Sequence, residues 1–236
     1  MFRKLVKKFR TQESSGASPK KALQPPIASK EPEKKRLNFI TSDQYWEDRY
    51  LQGRNSGAGS YGRLAKFKAE VLNEFVTQNQ IQSVVEFGSG DGNQLSLAKY
   101  PEYLGVDVSQ TAVDTCRKKF SQDLAKTFVN TQEYDGKKAE MALSLDVIYH
   151  LTEDRTFETY MEILFNAATR FVIVYSSNMD KPTKSKHVKH RRFVDWVITN
   201  RPDYKEPAHI PNRFPFDAYD SRNTSHADFY IFKRIH

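Results

Sequence analysis

The run Ser83-Val84-Val85-Glu86-Phe87-Gly88-Ser89-Gly90-Asp91-Gly92 constrains what this chain can fold into more than any other stretch. Val84, Val85 and Phe87 are β-branched or aromatic and suit a strand buried inside a sheet. That strand ends in an acid and breaks into alternate glycines, which let the backbone turn sharply and approach a ligand that a Cβ would block. A second short strand, Tyr103-Leu104-Gly105-Val106-Asp107, ends in another acid fifteen residues beyond Gly92. A glycine loop after one strand and a carboxylate at the tip of the next is how an open α/β sheet holds a nucleoside, with the carboxylate on the ribose hydroxyls.

Spacing selects among nucleoside ligands. Dinucleotide folds use G-x-G-x-x-G and aim a helix N-terminus at a pyrophosphate. Here the pattern is E-x-G-x-G-x-G, and Asp91 stands where a phosphate would be repelled. An acidic loop suits a cationic, phosphate-free nucleoside such as S-adenosylmethionine. With Asp107 and the later strand Met141-Ala142-Leu143-Ser144-Leu145-Asp146, the chain resembles the class I S-adenosylmethionine-dependent methyltransferases, from about residue 43 to 234. The resemblance implies a doubly wound, mostly parallel seven-stranded α/β sheet, Rossmann-like, whose last strand inserts antiparallel.

Patterning along the chain agrees with that expectation. Ser42 is placed to cap a short helix through Tyr45, Trp46 and Tyr50, giving an N-terminal helical extension. A glycine-rich loop (53–60) precedes a longer helix beginning at Ser60 or Tyr61, with Leu64, Phe67, Val71, Leu72, Phe75 and Val76 on one stripe. Further helices are expected from about Gln94, over 109–120 with Ser109 as cap, and over 153–168. Strands are expected at 103–108, 126–132, 140–146 and 171–175, with two more at Arg213–Tyr219 and 227–232. Strand alternating with helix means a parallel sheet covered on both faces, with its ligand outside the carboxyl ends of the strands.

The resemblance assigns Glu86, Gly88, Ser89 and Gly90 to the methionine end of the cofactor, Asp107 to the ribose and Val108 to the adenine. Asp135, beside Tyr134, matches an acid that bonds the adenine amine, though Tyr134-Asp135-Gly136 also reads as a plain turn. Leu145 and the run Asp146-Val147-Ile148-Tyr149-His150-Leu151 match the motif beside the transferring methyl. The loop 53–63 reads either as a surface loop or as a cover for the cofactor. In the second case Tyr61 and Trp46 lie against the cofactor and Arg63 pairs with its carboxylate. The pattern implies no metal.

Methyl transfer to a hydroxyl needs a base near the methyl. His150 follows the strand that ends at Asp146, and neutral imidazole accepts a proton at pH 7. Asp146 could orient it or serve instead; the plainer reading of His150 is a residue packing a helix start. After the strand 171–175, eight of thirteen residues from Lys181 to Phe193 are Lys, Arg or His. They are either a solvated charge run or a grip on an anionic acceptor through His187, His190, Arg191 and Arg192, with Tyr149 nearby. The segments S-S-N (176–178), H-V-K-H-R-R-F-x-D-W-V (187–197) and T-S-x-A-D-F-Y-I-F (224–232) resemble a methyltransferase subgroup associated with bacterial surface-polysaccharide biosynthesis. This implies a sugar or glycan-type hydroxyl acceptor. A small metabolite, protein or RNA acceptor, or a non-catalytic S-adenosylmethionine-binding module, are the alternatives.

The net charge of +8 does not make the domain a nucleic-acid binder. Residues 1–36 hold eleven lysines and arginines against three glutamates, and the remainder carries equal numbers of bases and acids. The domain also lacks an N/D-P-P-Y amine-methylation motif. The expected organisation is a basic tail, 1–37, followed by a methyltransferase domain, 38–236. Residues 11–36 have the composition of a flexible linker. Within the tail, Phe2, Leu5, Val6 and Phe9 share a helical face opposite lysines and an arginine. That pattern suits either a solvated tail or docking on an anionic membrane or an assembly partner. Cys116 is the only cysteine, so no intrachain disulfide can form, and no apolar run suits a bilayer span or signal peptide. A cytoplasmic location follows as the expectation, peripheral on the inner face of the membrane only where the tail docks there rather than staying solvated.

Overall fold

A computed structural model describes residue 37 and residues 39–235. The tail and its amphipathic segment therefore lie outside the described residues. Two helices, α1 (Ser42–Leu51) and α2 (Gly62–Asn79), precede the sheet. Then follow β1 (Ser83–Phe87), β2 (Glu102–Asp107), α3 (Gln110–Lys119), β3 (Lys126–Asn130), β4 (Ala139–Leu145), α4 (Asp154–Ala167), β5 (Ala168–Ser176), α5 (Phe193–Asn200), β6 (Ala208–Ile210) and β7 (Asp228–Lys233). One seven-stranded sheet runs in the order β3-β2-β1-β4-β5-β7-β6. The first five strands are parallel, and β7 inserts antiparallel between β5 and β6.

Each face of the sheet has its own core. On one, Phe67, Val71, Leu72 and Phe75 of α2 and Val113 and Cys116 of α3 pack on Val84, Met141 and Ile173. On the other, Phe157, Met161, Leu164 and Phe165 of α4 and Phe193 and Val197 of α5 pack on Val85, Ala142 and Val172. Cys116 is fully buried, as a small apolar side chain would be. The strand order reverses between β1 and β4, and the crevice there opens above the glycine loop.

Three local expectations are corrected. Thr41, not Ser42, caps α1: its Oγ1 accepts from Gln44 N at 3.3 Å. Ser42 instead puts its Oγ 2.7 Å from the His150 carbonyl and 2.6 Å from Glu153 Oε2, tying α1 to the turn after β4. The helix expected from Gln94 is only a 3₁₀ turn, Leu95–Leu97, because Asn73 of α2 bonds Leu97 O and Lys99 N and draws the chain extended toward Pro101. Residues 213–219 form no strand. Pro211 and Pro215 remove backbone donors, Asn212 Oδ1 bonds Phe214 N, and the strand lies earlier at Ala208–Ile210.

Candidate functional site

A cavity of about 460 Å³ lies at the carboxyl ends of β1, β2 and β4. Its floor is residues 86–91, Val106, Asp107, Val108, Leu145, Asp146 and Val147, and its walls come from α1, α2 and α4. The loop after β1 needs its glycines. Gly88 and Gly90 sit at φ +85° and +57°, and a Cβ on them would meet Val147 Cγ2 or Ser56 Oγ at 2.4 Å.

Two carboxylates stand at the strand tips. Burial pushes Glu86 up to about 7, and Tyr103 donates its hydroxyl to it at 2.7 Å. Asp107 is likewise raised by burial, to about 6. Its Oδ2 accepts from Gly90 N at 2.8 Å and its Oδ1 from Ser109 N at 2.9 Å, so it closes the glycine loop. Ser109 itself caps α3 by accepting from Ala112 N. Each carboxylate oxygen keeps a second lone pair for a ligand hydroxyl. Ser89 Oγ is buried, lines the cavity and has no partner. An unpaired buried hydroxyl is the kind of group a bound ligand completes.

Val108, Leu145, Trp46, Asp146 and His150 line the cavity. Asp146 sits at φ +61°, outside the usual non-glycine range. Its Oδ2 accepts from Lys68 Nζ at 2.6 Å and its Oδ1 from the Tyr149 hydroxyl at 2.7 Å. His150 closes the 3₁₀ turn after β4, edge-on to Trp46 at 4.9 Å and to Tyr149 at 4.6 Å. Its Nδ1 lies 2.9 Å from the His187 carbonyl, and burial lowers its pKa to about 4.

Other expected residues are elsewhere. Arg63 does not reach the cavity: it pairs with Asp220 at 2.8 Å, donates to Asn223 O and lies over Phe214. Tyr61 lies outside the lining too, because its hydroxyl donates to Asp91 Oδ2 at 2.8 Å. The same Asp91 oxygen accepts from Ser56 N, so Asp91 clamps the 53–61 loop onto the glycine loop. Asp135 is exposed and bonds Lys137 N within its own turn; Thr131 and Tyr134 line the cavity instead.

The acceptor contacts expected of the basic run are also corrected. His187, His190, Arg191, Arg192 and Tyr149 do not line the cavity. His190 bonds Ser177 Oγ through Nδ1 at 2.7 Å, and Arg192 pairs with Asp195 at the surface. Arg191 donates to the Leu151 and Thr152 carbonyls. The Tyr149 hydroxyl is occupied by Asp146.

Two cavity cations escaped the sequence reading. Lys68 is fully buried on α2, and its place in the stripe Leu64, Phe67, Val71, Leu72 was the available signal. A charge at an apolar position of an amphipathic helix needs a buried partner, and Asp146 supplies it. Arg155, in the first turn of α4, lines the cavity and has no hydrogen bond or ion pair among the described residues. No short motif announces it.

No protein-family profile matches the sequence, and no curated protein matches it. Solved structures do. N-methyltransferase NodS from Bradyrhizobium japonicum WM9, in complex with S-adenosyl-L-homocysteine, superposes with a TM-score of 0.64 at 13% identity, covering 84% of this chain and 100% of that one. Magnesium protoporphyrin IX methyltransferase ChlM from Synechocystis PCC 6803, with bound S-adenosylmethionine, gives 0.57 at 16% identity over 83% and 98%. The methyltransferase domain of bacterial CtHen1 gives 0.55 at 17% identity over 71% and 96%. The chain therefore has the Rossmann-like fold of these methyltransferases, with the same kind of seven-stranded sheet ending in antiparallel strands.

Proposed function

We propose that this chain is an S-adenosylmethionine-dependent methyltransferase acting on a hydroxyl of a sugar or glycan-type acceptor. The observation that carries the reading is a single cavity in which Glu86, the tight glycine loop, Asp107 and His150 converge. S-adenosylmethionine supplies an electrophilic methyl on a sulfonium. The residues present fit it: Asp107 has lone pairs for the ribose hydroxyls, Val108 and Tyr134 offer apolar surface for an adenine, and Ser89 Oγ is an orphaned polar atom. Lys68, rather than Arg63, is the cation within reach of a carboxylate, held in place by Asp146.

His150 is placed to take the acceptor proton. Its low pKa keeps it neutral throughout the physiological range. The acceptor side of the cavity carries Trp46, Asp43, Arg155 and Thr156. An aromatic wall with polar groups around it suits a hydroxylated ring, and the unpaired Arg155 suits an acidic substituent on it. The resemblance of 187–197 and 224–232 to a polysaccharide-biosynthesis subgroup supports the same acceptor class. The basic segment 1–10 is proposed as a contact with an anionic membrane surface or an assembly partner, on the cytoplasmic side.

The reading is tested in two steps. Calorimetry with S-adenosylmethionine should give saturable binding that Asp107→Ala weakens by roughly 1–3 kcal/mol, the scale of charge-assisted hydrogen bonds. Labelled methyl should then appear in a cell-envelope glycan extract, and not in tRNA, DNA or bulk protein. Transfer confined to RNA or protein would remove the glycan acceptor while leaving the cofactor reading intact.

A further inference from the structure

The basic run after β5 does not reach the cavity, and it is solvated only in part: Lys181, Lys184, Lys186 and Arg192 are exposed, whereas 187–191 are half-buried. It lies along the turn after β4 and bonds it on both sides of His150. Lys189 N donates to the Tyr149 carbonyl at 2.8 Å. The Arg191 guanidinium donates to Leu151 O at 2.5 Å, to Thr152 O at 3.0 Å and to Asp154 Oδ1 at 2.8 Å, and it lies over the Phe157 ring. Its side chain is only 12% exposed, so an acceptor anion has little access to it. Ahead of these anchors, the His187 ring stacks on Tyr45 at 4.6 Å and on His150 at 5.6 Å.

One bond in this arrangement has a chemical consequence. The His187 carbonyl can only accept, so the 2.9 Å contact requires a proton on His150 Nδ1. In the neutral ring Nε2 then keeps its lone pair, and no protein group among the described residues bonds it. The partner of one ring nitrogen decides what the other can do.

We infer that residues 187–191 form a strap that fixes His150 as the Nδ1–H tautomer, leaving Nε2 as the proton acceptor, and that Arg191 is the positioning residue that holds the strap. The inference rests on the reading of His150 as the base. Arg191 acts through the backbone: by holding 151–152 against 189–191 it keeps the His187 carbonyl in line with Nδ1. The groups that face His150 are Asp146 at the end of β4, Arg49 of α1, and His187. None of these side chains bonds a His150 ring nitrogen, so the backbone carbonyl of His187 sets the tautomer.

The full chain labelled with ¹⁵N-histidine tests this by NMR, because long-range ¹⁵N correlations report which ring nitrogen carries the proton. The His150 signal is assigned by its loss in His150→Gln. The expected wild-type result is a pure Nδ1–H tautomer from pH 6 to 8, whereas a histidine side chain free in solvent favours Nε2–H. Arg191→Met should introduce the Nε2–H form. It should also lower methyl transfer to the envelope extract by roughly tenfold to a hundredfold, the scale of a misplaced catalytic group, with affinity for S-adenosylmethionine unchanged. Arg191→Lys, which keeps one donor for the carbonyls, should recover part of the loss. If Arg191→Met loses cofactor binding through misfolding, His187→Ala is read instead. It keeps the carbonyl but removes the ring stack, and the same tautomer shift is expected. A wild-type His150 protonated at Nε2 overturns the inference, as does a folded Arg191 or His187 variant with undisturbed tautomer and turnover. If wild-type protein shows Nδ1–H but His150→Gln retains full turnover, the base assignment fails while the strap stands.

Discussion

Asp107 already accepts from Gly90 N and Ser109 N, and burial raises it to about 6. Ribose hydroxyls need its anionic form, so affinity for S-adenosylmethionine should fall as pH drops through about 6. Glu86, raised to about 7, adds to the same trend if it faces the cofactor's ammonium. Calorimetry between pH 5 and 8 checks this, and Asp107→Asn should bind more weakly and lose the step near 6. An affinity in wild-type protein that is flat with pH would count against the ribose assignment. Turnover at saturating S-adenosylmethionine should show no acid limb near 6.5, because His150 stays neutral down to about 4. Arg155→Ala should raise the acceptor KM several-fold while sparing cofactor affinity, a pattern of lost uniform binding. Arg192→Ala should change neither the acceptor KM nor cofactor affinity, since its partner is the surface Asp195.

The element that most depends on one residue is the junction of α2 with the end of β4. Lys68 and Asp146 are 1% and 12% exposed in their side chains, and their pairing spans the cavity floor. Breaking a buried pair leaves an uncompensated charge, so Lys68→Met should destabilise the protein by roughly 3–5 kcal/mol. Pairing it with Asp146→Asn should recover much of that loss in denaturant melts; no recovery would mean that Lys68 acts by packing alone. The glycine loop is the second such element. Gly88→Ala places a Cβ 2.4 Å from Val147 Cγ2 at a φ of +85°, which strains both backbone and packing. It should cost on the order of 1–3 kcal/mol and weaken cofactor binding with it.

For the whole molecule, the buried titrating groups pull stability in opposite directions. Glu86 and Asp107 are raised on folding, so the folded state holds extra protons below about 7 and 6, and stability grows as pH falls through that range. His150 is lowered from 6.5 to about 4, so the unfolded chain binds more protons there and stability is lost as pH falls from 6.5 toward 4. Burial lowers His187, His190 and His226 as well, so four groups lose where two gain, and the ligand-free protein should melt highest near neutrality. S-adenosylmethionine should move that optimum upward, because it needs the anions. Thermal melts across pH 5–8 check both; a melting temperature that rises steadily to pH 8 without ligand would contradict the burial argument. Deleting residues 1–36 should leave turnover unchanged and reduce salt-sensitive co-sedimentation with anionic vesicles. Among the described residues no helix is long and apolar enough to cross a membrane.

What was legible in the chain was local. A strand ending in Glu86 and a glycine loop, a strand ending in Asp107, and Ser109 as a cap are written in adjacent residues whose backbone needs are met nearby. So these motifs carried the family resemblance that implied the sheet and its antiparallel last strand, and their residues line the cavity. The side chains that cross between elements could not be read this way. Arg63 and Lys68 are five residues apart on one helix, and only the packing of α2 turns Lys68 inward to Asp146 and Arg63 outward to Asp220. Asp135 sat at the right sequence distance, yet its turn bonds itself and leaves Tyr134 at the cavity. The basic run read from sequence either as solvated charge or as a grip on an anionic acceptor. For Arg191 the partners are carbonyls of the chain's own β4 turn, more than thirty residues away, and sequence carries no mark of which backbone groups a fold leaves unpaired.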